Sequence, residues 1–121
     1  MKAFLIAVSV IFVLVLGVIL LSAWGIATVD DYLDALPEEG APPREAAPML
    51  DGLKEAVEGD LFLLNTIFSH TRTDALETAI AGALAAAKSG DEVELAIKRA
   101  ELRSLLLDMR RDLTPHPADM I

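Results

Sequence analysis

His70 and Asp74 are the residues of this chain whose types and spacing could most directly do chemistry. Four residues apart on a helix, they share one face and could hold a proton or a metal ion between them. Two ligands from one helix do not make a metal site, however, and the only other histidine is His116, which stands between two prolines. We therefore interpret the pair as a helix junction, where Asp74 caps a helix and His70 hydrogen-bonds nearby, and we predict no metal site.

Other residue types that often carry catalysis lack the context that catalysis needs. The acid pairs Glu55/Glu58 and Glu92/Glu94 lie among charged residues, and nothing in the pattern indicates the burial that turns a carboxyl group into an acid catalyst. No serine follows a nucleophile-elbow pattern, and no glycine-rich loop could cradle a phosphate. The absence of cysteine excludes disulfides, thiolate ligands and a lipoprotein anchor. We predict no enzyme, no catalytic residue, no cofactor and no small-molecule substrate.

The N-terminal quarter predicts a membrane anchor. Residues 3–29 contain no charge, and fifteen of the eighteen residues 4–21 are Leu, Ile, Val or Phe. Together these fifteen favour the bilayer by about 7 kcal/mol. A hydrocarbon core needs about 20 helical residues, so this run can span it. The alternative is a signal peptide cleaved near Ala23–Ala27, but its apolar region is normally only about 7 to 15 residues long, so we predict a retained anchor over residues 1–29.

The charges that flank this run predict its orientation. Lys2 and the terminal amine precede it, while Asp30, Asp31 and Asp34 follow it. By the positive-inside rule, the N-terminus faces the cytoplasm and the remainder of the chain lies outside. We therefore predict a single-pass protein of the cell membrane with an extracytoplasmic domain.

An acidic, proline-rich segment follows at residues 30–48. Residues 30–60 hold ten acidic residues against only Arg44 and Lys54, and the segment contains four prolines and Gly40. This composition predicts an extended, mobile tether. Its charge disfavours nucleic acid and anionic lipid headgroups as partners.

Residues 49–121 show helical periodicity, which predicts an all-α fold. A first helix follows the apolar positions Leu50, Leu53, Val57, Leu61, Leu64 and Phe68. A second helix is predicted from Asp74 to Ser89, and a third from Asp91, which has capping-box spacing to Glu94, to Thr114. The short turn at Gly90 makes the last two helices antiparallel. The fold class is thus one N-terminal transmembrane helix followed by a small three-helix bundle or helical-hairpin domain.

Short motifs in this domain resemble a bacterial family, the domain of unknown function 4363 family of small single-pass membrane-anchored helical proteins. They are Phe68-Ser69-His70, Asp74-Ala75-Leu76-Glu77, the Gly90-Asp91 turn, Ala100-Glu101-Leu102 and the closing Ala118-Asp119-Met120-Ile121. The resemblance implies a membrane helix with a small helical domain, and it implies no activity.

The third helix carries a candidate partner surface. Leu105, Leu106 and Leu107 are consecutive, so they cannot all face one core, and we predict that Leu105, Leu107 and Met109 contact another protein. Since about 73 residues form only a marginal core, association is expected to stabilise the domain. We predict an extracytoplasmic interaction or accessory module. The alternatives are a structural homo-oligomer at the membrane surface and a secreted domain released by signal cleavage.

Overall fold

The computed structural model describes residues 1–113, which form four α-helices and no strand. The helices are α1 (Lys2–Ala35), α2 (Pro43–Ile67), α3 (His70–Ser89) and α4 (Glu92–Leu113). The all-α prediction is confirmed. A helix near the N-terminus, α1, is long and apolar enough to cross a membrane.

Helix α1 is continuous, but its N-terminal and C-terminal parts lie in different environments. Its large apolar side chains are exposed up to Leu20, as expected of a helix that contacts lipid. Further along, it buries Gly25, Thr28, Val29 and Tyr32 at spacings of one, three and four residues. The C-terminal end of α1 therefore packs against α2 and α4 as the fourth helix of the bundle.

The prediction of an extended tether over residues 30–48 is wrong. Only residues 36–42 lie outside helices, because α1 continues to Ala35 and α2 begins at Pro43. Proline is well suited to the first position of a helix, where its fixed φ angle fits and its missing N–H is not needed. Pro48 lies one turn further and removes one helical hydrogen bond, while the buried Ala46 and Leu50 hold this turn on the core.

The connection between α1 and α2 is itself packed. Leu36 and Pro37 are buried, and Arg99 Nε of α4 donates a 2.5 Å hydrogen bond to the Pro37 carbonyl oxygen. This contact joins residues 62 positions apart. The connection is thereby held against α4.

The helix ends follow local side-chain chemistry. Helix α3 begins at His70, because Ser69 Oγ accepts a hydrogen bond from the Arg72 N–H at 3.2 Å. The prediction that Asp74 caps this helix is wrong, since Ser69, five residues before the expected start, occupies that role. At the α3–α4 turn, Gly90 has a φ of 75°, which glycine adopts without strain. Asp91 Oδ1 accepts from the Glu94 N–H at 3.0 Å, which confirms the predicted cap.

The four helices run alternately up and down. Helix α2 packs against α1 and α3, and α4 packs against α3 and α1. Gly25 lies beside Ile67 of α2, and Tyr32, seven residues further along α1, bonds to Asp60, seven residues earlier in α2. These two contacts show that α1 and α2 are antiparallel. The fully buried large side chains of the core are Leu50, Leu53, Leu64, Leu76, Ile80, Leu102, Leu106, Met109, Val29 and Val57.

Candidate protein-interaction site

The structure places His70 and Asp74 at the α2–α3 junction, where both are exposed. His70 is the first residue of α3, and Asp74 lies one turn further along the same helix. Within residues 1–113, no group of three or more histidine, cysteine or acidic side chains is arranged to hold a metal ion. His116 lies outside the described residues.

The three predicted partner-contact residues lie in different environments. Leu105 and Leu107 are partly buried, and Leu105 packs against the core. Met109 is 0 % exposed and belongs to the core itself. The prediction that Met109 contacts a partner is therefore wrong for this fold, because α4 turns that side of the helix towards the other helices.

An open groove lies between α1 and α2 and has a volume of about 680 Å³. We call it the α1–α2 groove. Its α1 side is formed by Trp24, Thr28, Asp31, Tyr32 and Ala35. Its α2 side is formed by Pro48, Met49, Gly52, Leu53, Ala56 and Asp60. Most of these side chains are apolar or small, so the groove resembles the clefts in which proteins hold helices and ligands.

A hydrogen bond crosses the groove and fixes its geometry. The Tyr32 hydroxyl donates to Asp60 Oδ2 at 2.5 Å. Burial raises the pKa of Tyr32 well above its ordinary value, and the hydrogen bond and the negative charge of Asp60 raise this pKa further. Tyr32 is therefore a protonated donor at physiological pH, and Asp60 accepts its hydrogen bond.

Asp31 and Asp60 are the carboxylates that line the groove, and no lysine or arginine among residues 1–113 lines it. Asp31 is exposed on its rim, and Asp60 is partly buried beside Tyr32. A basic contact to α1 lies on the α4 side, where Arg110 Nε is 2.6 Å from Asp30 Oδ1. The groove therefore presents an apolar surface with a negative edge.

No protein-family model, curated protein or solved structure matches this chain.

The groove is open at Gly52, on its α2 side. A Cβ atom added to Gly52 would meet no atom within 4 Å, although Leu53 beside it is buried. A larger side chain at this position can therefore enter the groove without displacing the core.

A second exposed apolar surface lies on α4. Val93 is 72 % exposed and Ile97, one turn further, is 48 % exposed. The partly buried Leu107 lies on the same side of the helix, fourteen positions after Val93. Val93 and Ile97 thus face away from the core.

Sequence reasoning missed the groove because it assigned the C-terminal end of α1 to the anchor and the tether. The signal was nevertheless present. Val29, Tyr32 and Leu36 continue the apolar pattern of the anchor at spacings of three and four residues, as expected of a helix packed on one side. The acidic residues between them masked this pattern: Asp34 is exposed, Asp31 lies on the groove rim and Asp30 pairs with Arg110 of α4.

Proposed function

We propose that this chain is a single-pass bacterial membrane protein. It holds a small four-helix interaction module directly against the extracytoplasmic face of the cell membrane. The observation that carries the proposal is the continuity of α1, whose apolar run passes into the core of the bundle without a flexible joint. A site that is rigidly joined to a membrane helix meets partners at one fixed height above the bilayer. The proposal includes no catalytic activity.

Two features support a retained anchor rather than a released domain. Signal cleavage near residues 23–27 would cut α1 where Gly25 packs beside Ile67 and Leu113, within the bundle. In addition, about 20 residues from Ala3 span the hydrocarbon core, so its outer edge lies near residue 22, just below Trp24. Tryptophan prefers this interface, and the bundle begins immediately beyond it.

Charged residues at the membrane-proximal end of the bundle support the same position of the hydrocarbon edge, near residue 22. Leu113, at the end of α4, lies beside Gly25, and the preceding Asp112 is ion-paired with Arg72 at 2.8 Å. Both charged side chains are substantially exposed. Because exposed charges avoid hydrocarbon, the bilayer core ends below this level.

The proposed role is tested in native membranes by photo-crosslinking from single positions. A photoreactive residue at Gly52 in the groove or at Val93 on α4 is expected to capture another protein, whereas one at the exposed Lys88 is not. The mature chain is expected to retain residues 1–27, and its intact mass measures this. A shortened chain would exclude the anchored form, and the absence of any crosslinked protein at Gly52 and Val93 would contradict the interaction role.

A second candidate function, a structural homo-oligomer at the membrane surface, is favoured by the exposed Val93 and Ile97. A stripe of this kind on a helix can pack against the same stripe of a second copy. The full chain in lipid nanodiscs would then form dimers or larger assemblies, and Val93→Ser would dissociate them. A monomer at every protein-to-lipid ratio excludes this function.

Membership of the domain of unknown function 4363 family is likewise proposed, on the motif residues given above. The cytoplasmic position of the N-terminus is proposed on Lys2 and the three aspartates that follow the apolar run.

A further inference from the structure

We propose that the α1–α2 groove binds a basic amphipathic helix of another protein, with the apolar face of that helix over Leu53 and its lysine or arginine side chains towards Asp31 and Asp60. This inference rests on the proposed function, since it names the partner that the interaction module would take. Three properties of the groove support it: its shape, its charge and its height above the membrane.

The shape of the groove suits a helix. From Trp24 to Ala35, its α1 side is about 16 Å long, which corresponds to three helical turns. The residues Thr28, Gly52 and Ala56 along its length are small, so the backbone of a bound helix can approach closely. Buried side chains, including Leu53, form an apolar floor against which leucine-sized anchors can pack.

The charge of the groove selects a basic partner. Asp31 and Asp60 both line it, and no basic side chain of residues 1–113 does. The surrounding residues 30–60 hold ten acidic and two basic residues, a net charge of −8. Opposite charge attracts a cationic segment during its approach, whereas an acidic segment meets like charge. Asp60 also has a defined orientation, because Tyr32 holds one of its oxygens.

The height of the groove favours a protein over a lipid. The headgroup layer adds roughly 5 to 7 Å on each side of the hydrocarbon core. Tyr32 lies ten residues beyond position 22, about 15 Å further along the helix axis. Lipid amines therefore reach Trp24 at the lower end, while the Tyr32–Asp60 pair lies above them.

The charge also disfavours a second copy as the occupant. Each chain has a net charge of −9, so two copies repel each other at long range. Two α1–α2 grooves brought face to face would place the carboxylates of both copies together. A self-complementary interface through this groove is therefore unfavourable.

The inference is tested with two fluorescent helical peptides and the full chain in phosphatidylcholine nanodiscs. Both peptides are about 15 residues long and share an apolar leucine–alanine face, and their polar faces carry lysine in one and glutamate in the other. We expect the lysine peptide to bind at least about tenfold more tightly than the glutamate peptide, with the preference shrinking as salt rises. Empty nanodiscs measure binding to lipid alone.

Gly52→Leu is the decisive variant, because its side chain fills the groove while the open space around Gly52 spares the core. We expect it to weaken binding of the lysine peptide about tenfold. The matched control is Gly59→Leu, which makes the same change in the same helix at another open glycine that does not line the groove. The double variant Asp31→Asn, Asp60→Asn is expected to remove the preference for the lysine peptide.

Several outcomes overturn the inference. Equal affinity for the two peptides excludes charge selection, and unchanged affinity in Gly52→Leu excludes the groove as the binding site. Loss of peptide binding in nanodiscs that contain phosphatidylethanolamine indicates a lipid amine as the occupant. Crosslinks from position 52 that join two copies of the chain indicate self-association. Capture of a native partner through α4 alone, with no effect of Gly52→Leu, overturns the groove inference and leaves the proposed function standing.

Discussion

The hydroxyl group of Tyr32 donates a 2.5 Å hydrogen bond to Asp60 Oδ2 and thereby joins α1 to α2 across 28 positions of sequence. The bond lies beyond the uncharged run of residues 3–29 and joins the two sides of the α1–α2 groove. Because Tyr32 is the only tyrosine in the chain, its ionisation can be followed without interference from another tyrosine.

The first prediction concerns the ionisation of this tyrosine. Burial, followed by the hydrogen bond and charge of Asp60, raises the pKa of Tyr32 in the folded protein above its ordinary value of about 10. The near-ultraviolet absorbance of tyrosinate is therefore expected to appear near pH 10 in denatured protein and only at higher pH in folded protein. Appearance of the signal near pH 10 in the folded chain would contradict the burial of this hydroxyl group.

The same pKa shift predicts how stability depends on pH. A folded-state pKa above the unfolded value contributes stability that is fully present below about pH 10 and is lost as pH rises towards the folded value. Thermal unfolding of the full chain in detergent is expected to show this loss. In Tyr32→Phe the loss should be smaller, because the remaining alkaline destabilisation comes from other groups.

The second prediction is the energetic value of the hydrogen bond at neutral pH. Tyr32→Phe removes the donor and leaves the partly buried Asp60 without it, which we expect to lower the free energy of unfolding by about 1–2 kcal/mol. Asp60→Asn retains an acceptor and is expected to cost less. A double-mutant cycle of Tyr32→Phe with Asp60→Ala, which removes the acceptor, measures the coupling between the two side chains, and a coupling energy near zero would refute a stabilising bond.

The third prediction concerns the close packing at Gly25. A Cβ atom at this position would lie only 2.6 Å from Leu113 Cδ1 and 3.4 Å from Ile67 Cδ1. Gly25→Val is expected to destabilise the bundle by about 1–3 kcal/mol through overpacking. Gly17→Val is the control, since no atom lies within 4 Å of a Cβ there. Equal thermal unfolding of the two variants would show that α1 does not pack against the ends of α2 and α4.

The fourth prediction separates core from surface on α4. Met109→Ala is expected to destabilise the fold by about 2–5 kcal/mol, because Met109 is fully buried. Leu107→Ala is expected to cost less than half as much, since Leu107 is only partly buried. Chemical denaturation of both variants tests this order, and the reverse order would place Leu107 in the core.

The fifth prediction concerns orientation in the membrane. Since the chain has no cysteine, single cysteines can be introduced without background. A membrane-impermeant maleimide is expected to label Ala85→Cys, on the exposed side of α3, in intact cells. It should label a cysteine inserted between Met1 and Lys2, which keeps the basic residue, only after permeabilisation. The opposite pattern would place the bundle in the cytoplasm.

Much of the fold was predictable from local features of the sequence. The uncharged run to Val29 predicts a membrane helix because hydrocarbon rejects charge. The α3–α4 turn was predictable because Gly90 and Asp91 carry out their roles through backbone φ and a hydrogen bond to the nearby Glu94. Such signals involve residues that are close together along the chain.

The errors arose where distant contacts outweighed local preference. Prolines and acidic residues between positions 30 and 48 predicted an extended tether, yet Leu36, Pro37 and Ala46 are buried against the other helices. Arg99, 62 positions later, holds this connection through the Pro37 carbonyl. Burial of apolar surface and one long-range hydrogen bond thus fixed a segment whose composition is typical of mobile chains.

The sequence alone determined that the protein is helical, acidic and equipped with one apolar helix able to span a membrane, because these properties depend on composition and short-range periodicity. The tertiary structure decided that this helix continues into the bundle and forms the α1–α2 groove with α2. That outcome depends on Gly25 meeting Ile67 and Leu113, and on Tyr32 meeting Asp60. Each of these contacts joins residues at least 28 positions apart, and no local pattern specifies such a pairing.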